Sequence, residues 1–236
     1  TDFENAIDSD TDNEYVVTLI ATDAGSNSDT ITITVTVANT NDESPVFGDG
    51  ETDSVAVDEG GTTVGDYDVT DADTSDLFND LSTCTDSGDD AGDFTPTKVD
   101  ADTCRMAFSS APDYEGAADA DTNNVYLVNL IATDAGSNSD TIALTITVVD
   151  LNDNSPVFAD GDTDAVAVNE GGTTVGDYTL TDADSTDPVN TCTDGSTDAA
   201  DFTPSKVSGT VCRIAFSATT DFENAIDSDT DNEYVV

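Results

Sequence analysis

The sequence has no histidine and no tryptophan, and among its 236 residues only Lys98, Arg105, Lys206 and Arg213 carry positive charge. Against them stand 52 Asp and Glu, for a formal net charge of −48. So few cations exclude nucleic acid as a natural partner, because holding phosphates takes clustered Lys and Arg that displace counterions. The same shortage argues against contact with an anionic membrane surface. With two cysteines per repeat unit and no histidine, a four-ligand zinc site cannot be completed. There is also no run of 18 apolar residues, no signal peptide and no lipidation motif, features that a window cut from a longer chain need not carry.

What is present is repetition. Thr1 to Val17 read TDFENAIDSDTDNEYVV, and Thr220 to Val236 read the same, a period of 219 residues. The expectation is that the sequence is a window onto a tandem array, with its ends placed where the pattern was cut. The period is itself double: ATDAGSNSDT at Ala21 returns at Ala132 and EGGTTVGDY at Glu59 returns at Glu170, both 111 residues on. Cys84 matches Cys192 and DFTP at Asp93 matches Asp201, both at 108 residues. Units of this size are whole domains, too long for solenoid repeats.

Acidic chains with few aromatics are often disordered, but the patterning opposes that here. TITITVTV at Thr30–Val37 alternates without a fault and places Ile31, Ile33, Val35 and Val37 on one face. The second copy keeps the phase with Ile142, Leu144, Ile146 and Val148. Shorter runs of the same period occur at Tyr15, Val17 and Leu19, at Val55 and Val57, and at Cys104, Met106 and Phe108. Half-buried strands read this way, and clusters such as AGSNSD and DEGG punctuate them as turns. No segment has useful helical periodicity. Each unit is expected to be an all-β, Greek-key, immunoglobulin-like sandwich of about seven strands.

Each unit has one pair of cysteines, Cys84 with Cys104 and Cys192 with Cys212, 20 positions apart. Buried reduced thiols and a disulfide both fit that spacing. The Asp-rich loop between the cysteines is poorly able to pin itself by packing, which favours a bridge stabilising by roughly 3 kcal/mol. A bridge of this kind implies an oxidising, extracellular compartment.

The acidic residues are organised into short motifs. Asp150–Phe158 reads DLNDNSPVF, and its counterpart Asn39–Phe47 reads NTNDESPVF. A glutamate stands early in each unit at Glu59 and Glu170, followed by D-x-D at Asp71 and Asp73 and at Asp182 and Asp184. A D-x-E follows at Asp2 and Glu4, Asp113 and Glu115, and Asp221 and Glu223, and A-T-D ends the series at Asp23 and Asp134. This ordered set resembles the calcium motifs of cadherin repeats. The resemblance divides the chain into the C-terminal part of one cadherin-like domain (1–43), a complete domain (44–154), and the N-terminal part of a third (155–236). It implies that the partial domains are completed by the preceding and following periods.

The resemblance also implies calcium at each junction, about three ions apiece. Ca²⁺ takes six to eight oxygen ligands at flexible positions, which two domains and their linker supply together. Carried over, the junction after Asn154 uses Glu59, Asp113, Glu115, Asp150 and Asp153 from below, and Asp182, Asp184 and the counterpart of Asp23 from above. Asn152 and Asn154 add backbone or amide oxygens. The junction before Ser44 uses Asp2, Glu4, Asn41, Asp42, Asp71, Asp73 and Asp134, with Glu170 of the preceding period. There Asn39 stands where the other copy has Asp150, and Glu43 where it has Asn154, so weaker binding is expected. A further loop, DSDTDN with Asp8, Asp10 and Asp12, has its counterpart at Asp119 and Asp121 and resembles the opening of an EF-hand loop. It lacks the sixth-position Gly and the closing Glu, so a solvated acidic turn is the favoured reading, with an extra calcium site as the secondary one.

The remaining acidity reads as a solvated surface suited to a salty medium. Paired carboxylates also serve glycosidases, but these recur once per domain at junctions without a supporting base or pocket, so no enzyme is expected. The expected function is a structural extracellular filament of calcium-rigidified repeats, prokaryotic by compositional bias; the alternative is the repeat stalk of a calcium-dependent adhesin. The partners expected are adjacent repeats or identical subunits, with homophilic contacts between filaments.

Overall fold

The computed structural model describes residues 2–73, 80–184, 188–196 and 198–223. The part of the terminal repeat at 224–236 lies outside the described residues. The architecture is all-β, with only two single 3₁₀ turns, at Ala91–Asp93 and Ala199–Asp201. The chain divides into two compact units, residues 1–149 and 150–236.

The first unit opens with a hairpin, β1 (Glu14–Thr22) and β2 (Ser28–Thr36), paired antiparallel from Glu14↔Thr36 to Thr22↔Ser28. Next come β3 (Val46–Phe47), β4 (Thr52–Asp58), β5 (Thr63–Thr70), β6 (Leu81–Ser87), β7 (Thr97–Lys98), β8 (Thr103–Ala107), β9 (Val125–Asp134) and β10 (Ser139–Val149). These eight elements exceed the expected seven because β3 and β7 are two-residue edge pairings. They form two sheets, β4-β10-β9-β6 and β3-β5-β8-β7. The β9–β10 hairpin is the centre of the first sheet: β4 joins β10 in parallel, and β6 joins β9 antiparallel.

The two-residue period sends alternate side chains between the sheets. Leu130, Ile142, Ile146, Cys104 and Met106 are 0% exposed there. The rings of Phe94, Phe108 and Tyr126 stack at centroid distances of 4.6, 5.1 and 5.7 Å. The Cys84–Cys104 disulfide ties β6 to β8 and so clamps one sheet to the other. Lys98 donates from its ammonium to the Leu81 carbonyl across the same gap.

The β1–β2 hairpin departs from expectation. Its strands form in the expected phase, but Leu19 is 59%, Ile31 58%, Ile33 37% and Val35 49% exposed. The reason is physical: alternation creates an apolar face, and only a second sheet can bury it. No second sheet lies on this hairpin among the described residues.

The second unit holds β11 (Val157–Phe158), β12 (Thr174–Thr181), β13 (Ser205–Ser208) and β14 (Val211–Ala215) in the order β11-β12-β14-β13. It repeats the second sheet of the complete domain in detail. Cys192 bonds Cys212, Phe202 and Phe216 stack at 4.7 Å, and Arg213 pairs with Asp177 at 2.6 Å as Arg105 does with Asp66. The stretches matching β4 and β6, at 163–169 and 189–195, are not strands.

Candidate metal centres

The junction between the hairpin domain and the complete domain lies inside the first unit and brings most of its expected ligands together. Carboxylate oxygens of Glu4, Asp42 and Asp73 lie within 4.8 Å of one another, and so do those of Asp71, Asp73 and Asp134. Asp73 belongs to both groups and is 0% exposed; Asp134 is 2% exposed. Three sources meet here: Glu4 from the turn before β1, Asp42 from the linker, and Asp71, Asp73 and Asp134 from the ends of β5 and β9.

Local hydrogen bonds aim these groups. Asp71 Oδ1 accepts from the Asp73 amide at 3.0 Å, and Asp73 Oδ2 accepts from the Glu43 amide at 3.2 Å. Glu43 thus acts through its backbone, which is why the Asn-to-Glu change between copies is tolerated. Asp134 Oδ1 accepts from the Asn138 amide at 2.8 Å. The Asn138 side chain donates to Asp134 Oδ2 at 2.9 Å and to Asn41 Oδ1 at 2.8 Å. Asp23, at the tip of the first hairpin, is held in the same way by Asn27. Hydrogen bonds from Asn27 hold the Asp23 carboxyl below the ordinary range, and those from Asn5 do the same for Asp2.

The remaining oxygens are left over. Glu4 Oε1, Asp71 Oδ2 and Asp73 Oδ1 are buried without a hydrogen-bond partner. Burial pushes the Glu4 carboxyl upward, and repulsion from Asp73, Asp42 and Asp2 adds to the shift. Burial likewise raises Asp71, with Asp73 and Asp134 contributing. Like charges at this separation cost on the order of 1 kcal/mol per pair in water-like surroundings and several in a buried one. Buried anionic oxygens without donors, converging from three segments, fit a hard divalent cation with oxygen ligands. Asn39 belongs to the same picture: its Oδ1 and Nδ2 are buried and unpartnered. Its amide oxygen is therefore a candidate ligand in place of the missing carboxylate.

The other junction's expected ligands fall in both units, and each half is ordered by itself. Below, Glu59 is 5% exposed and its Oε2 accepts from the Tyr114 amide at 2.7 Å. That bond fixes the turn carrying Asp113 and Glu115, where Asp113 Oδ1 accepts from the Gly116 amide at 3.2 Å. The loop residue Asn124 holds the turn from the other side by donating to the Tyr114 carbonyl at 2.9 Å, as Asn13 does to Phe3. Above, Asp184 is 4% exposed and accepts from the Asn154 backbone at 3.1 Å and from its side chain at 3.0 Å. Asp182 Oδ1 accepts from the Asp184 amide at 3.3 Å. Asp150, Asn152 and Asp153 lie in the segment that opens this unit. Glu170 reaches the Phe222 amide at 3.5 Å, and Asp221 accepts from Glu223 at 3.1 Å, repeating the lower half of the design.

The two acidic loops differ. Asp8, Asp10 and Asp12 bring carboxylate oxygens within 4.8 Å, and both Asp8 oxygens are buried without a partner. In the counterpart, Asp119 is 3% exposed and accepts from the Asn123 and Asn124 amides at 2.8 and 3.1 Å. Sharing a hydrogen bond with Asp119 raises the Asp121 carboxyl. That loop is a pinned turn with a buried carboxylate, more ordered than a solvated acidic turn.

Four positioning residues were not singled out from sequence. Asn138 and Asn27 sit in AGSNSD, whose verbatim recurrence was their only signal and was read as a turn. Asn13 and Asn124 take left-handed φ of 64° and 63° at the ends of the acidic loops, a conformation that Asn tolerates better than most residues.

No protein-family model and no curated protein matches the chain. Solved structures do. The protocadherin GammaB4 extracellular domain is 25% identical over 93% of this chain at a TM-score of 0.62. Human CDH23 EC21-23 is 24% identical over 89% of this chain and 66% of its own, at a TM-score of 0.60. Mouse clustered PcdhgC3 EC1-3 is 22% identical over 90% of this chain and 68% of its own, at 0.59. The chain spans 34% of the length of the protocadherin GammaB4 chain it matches. Its fold is that of cadherin-like repeats.

Proposed function

We propose that this chain is part of an extracellular structural filament whose cadherin-like repeats are stiffened by calcium at their junctions. The observation that carries the reading is the shared position of Asp73. One fully buried carboxylate serves two oxygen clusters, drawn from the preceding domain, the linker and the following domain, with leftover oxygens on Glu4, Asp71 and Asp73. When bound, calcium supplies positive charge that these oxygens share.

The chain's own residues do the rest. Asn138 fixes Asp134 and the linker together, Glu59 and Asn124 hold the turn bearing Asp113 and Glu115, and Asn154 orients Asp184. Without the ion, the carboxylates repel one another and the linker between domains is free to bend. With it, two domains share common ions and move as one. Two disulfides, of a kind that persists in oxidising surroundings, and the fold shared with extracellular cadherin domains support an extracellular location. The partners are adjacent repeats. No catalytic role is assigned to the paired carboxylates.

The test is calcium titration of the chain, read by calorimetry and by the rotational freedom of its domains. Stoichiometric binding that slows independent domain motion supports the proposal. Absence of binding at millimolar calcium, or binding that leaves domain motion unchanged, defeats it.

A further inference from the structure

The complete domain shows what each partial one lacks. In it, β9 and β10 form the centre of a sheet, with β4 paired only to β10 and β6 only to β9. The second unit has counterparts of β3, β5, β7 and β8, whereas the counterparts of β4 and β6, at 163–169 and 189–195, remain without strand pairing. Their pairing partners would be a β9–β10 hairpin. Its core is correspondingly open: Cys104 and Met106 are 0% exposed, but their counterparts Cys212 and Ile214 are only half-buried.

At the other end, β1–β2 is such a hairpin with nothing on its apolar face. Tyr126, Val128, Leu130, Ile142, Leu144 and Ile146 are 0–2% exposed in the complete domain. Their counterparts Val17, Leu19, Ile31, Ile33 and Val35 are 37–59% exposed. Both outer edges of the hairpin are unpaired, an arrangement that is marginal alone and prone to pairing.

We infer that β1–β2 is a docking element whose partner is the second unit of another copy of this chain, where it takes the place of β9–β10. The complete domain sets the register. Its Ile146↔Val55 and Ala132↔Cys84 pairings translate to Val35↔Val166 and Ala21↔Cys192. The incoming strands bring 163–169 and 189–195 into a four-stranded sheet in the order of the complete domain. Charge permits the contact despite the net −48. Val16–Thr22, Thr30–Val37 and Ala165–Val168 contain no Asp or Glu, so self-repulsion is weakest where the surfaces meet. The inference uses the repeat and not calcium.

The test mixes two full-length variants, Val35→Cys and Val166→Cys, under mild oxidation. The expected result is an intermolecular cross-link on a non-reducing gel, absent when Val35→Cys is mixed with Thr203→Cys, whose counterpart lies in the other sheet. Sedimentation of the unmodified chain should show concentration-dependent association, weakened at least tenfold by Ile33→Asp. Residue 33 is exposed, so that change spares the folding of its own chain. A chain that stays monomeric, equal cross-linking at 166 and 203, or unchanged association of Ile33→Asp would each overturn the inference. The cross-link reports the hairpin's position whether or not calcium is bound, so this inference and the calcium proposal fail separately.

Discussion

Asn138 donates its side-chain amide to Asn41 Oδ1 at 2.8 Å and to Asp134 Oδ2 at 2.9 Å, so one side chain ties the linker to the hairpin tip that carries a candidate ligand. The adjacent Gly136 leaves room for this: a Cβ there would collide with the Asn41 side chain.

Asn138→Ala should therefore weaken calcium at this junction about tenfold, the usual scale for a residue that orients a ligand without touching the metal. Chelator-competition titration measures it. Unaltered affinity would mean that Asn138 only shapes its turn.

Asp73→Asn should abolish tight binding at the same junction, because the residue serves both oxygen clusters. In excess chelator the same variant should be at least as stable as the parent, since it removes a buried charge from a repelling group. Thermal unfolding with and without calcium reads both effects in one experiment.

The pH dependence should reverse with calcium. Burial and like charges raise the Glu4 and Asp71 carboxyls in the folded chain above their ordinary values of 4.5 and 3.8. A raised carboxyl binds more protons folded than unfolded. Metal-free stability should therefore rise as pH falls from neutral through the raised values, levelling off near the ordinary ones. With calcium bound, protons compete for the same oxygens, and stability should fall over that interval. Melting temperatures from pH 7 to about 4, in chelator and in calcium, check the crossing.

Reducing Cys84–Cys104 should cost roughly 3 kcal/mol, the scale for a loop of this size. Chelation alone should leave the complete domain folded, because its core residues and the disulfide lie away from the acidic junctions. Denaturant titration of the reduced and oxidised chain distinguishes the two.

Strand positions were legible because a two-residue period is written directly in TITITVTV and its copy. Burial was not. The same pattern gives 0–2% exposure at Ile142, Leu144 and Ile146 but leaves Ile31, Ile33 and Val35 open, because burial depends on a second sheet that a strand's own sequence cannot supply. For the same reason Asp164–Val168, close in sequence to β4, makes no strand: β4 exists by pairing with β10. The acidic clusters were legible as ordered motifs. The amides that aim them were hidden, since an Asn in a turn looks alike whether it faces water or, like Asn138, clasps a carboxylate.

The most direct measurement is the distance distribution between spin labels at Thr85 and Thr179, exposed strand positions on either side of the junction that follows Asn154. The account predicts a broad distribution in excess EGTA that collapses to a narrow one at stoichiometric calcium and broadens again in Asp153→Ala. A distribution of equal width with and without calcium would contradict it.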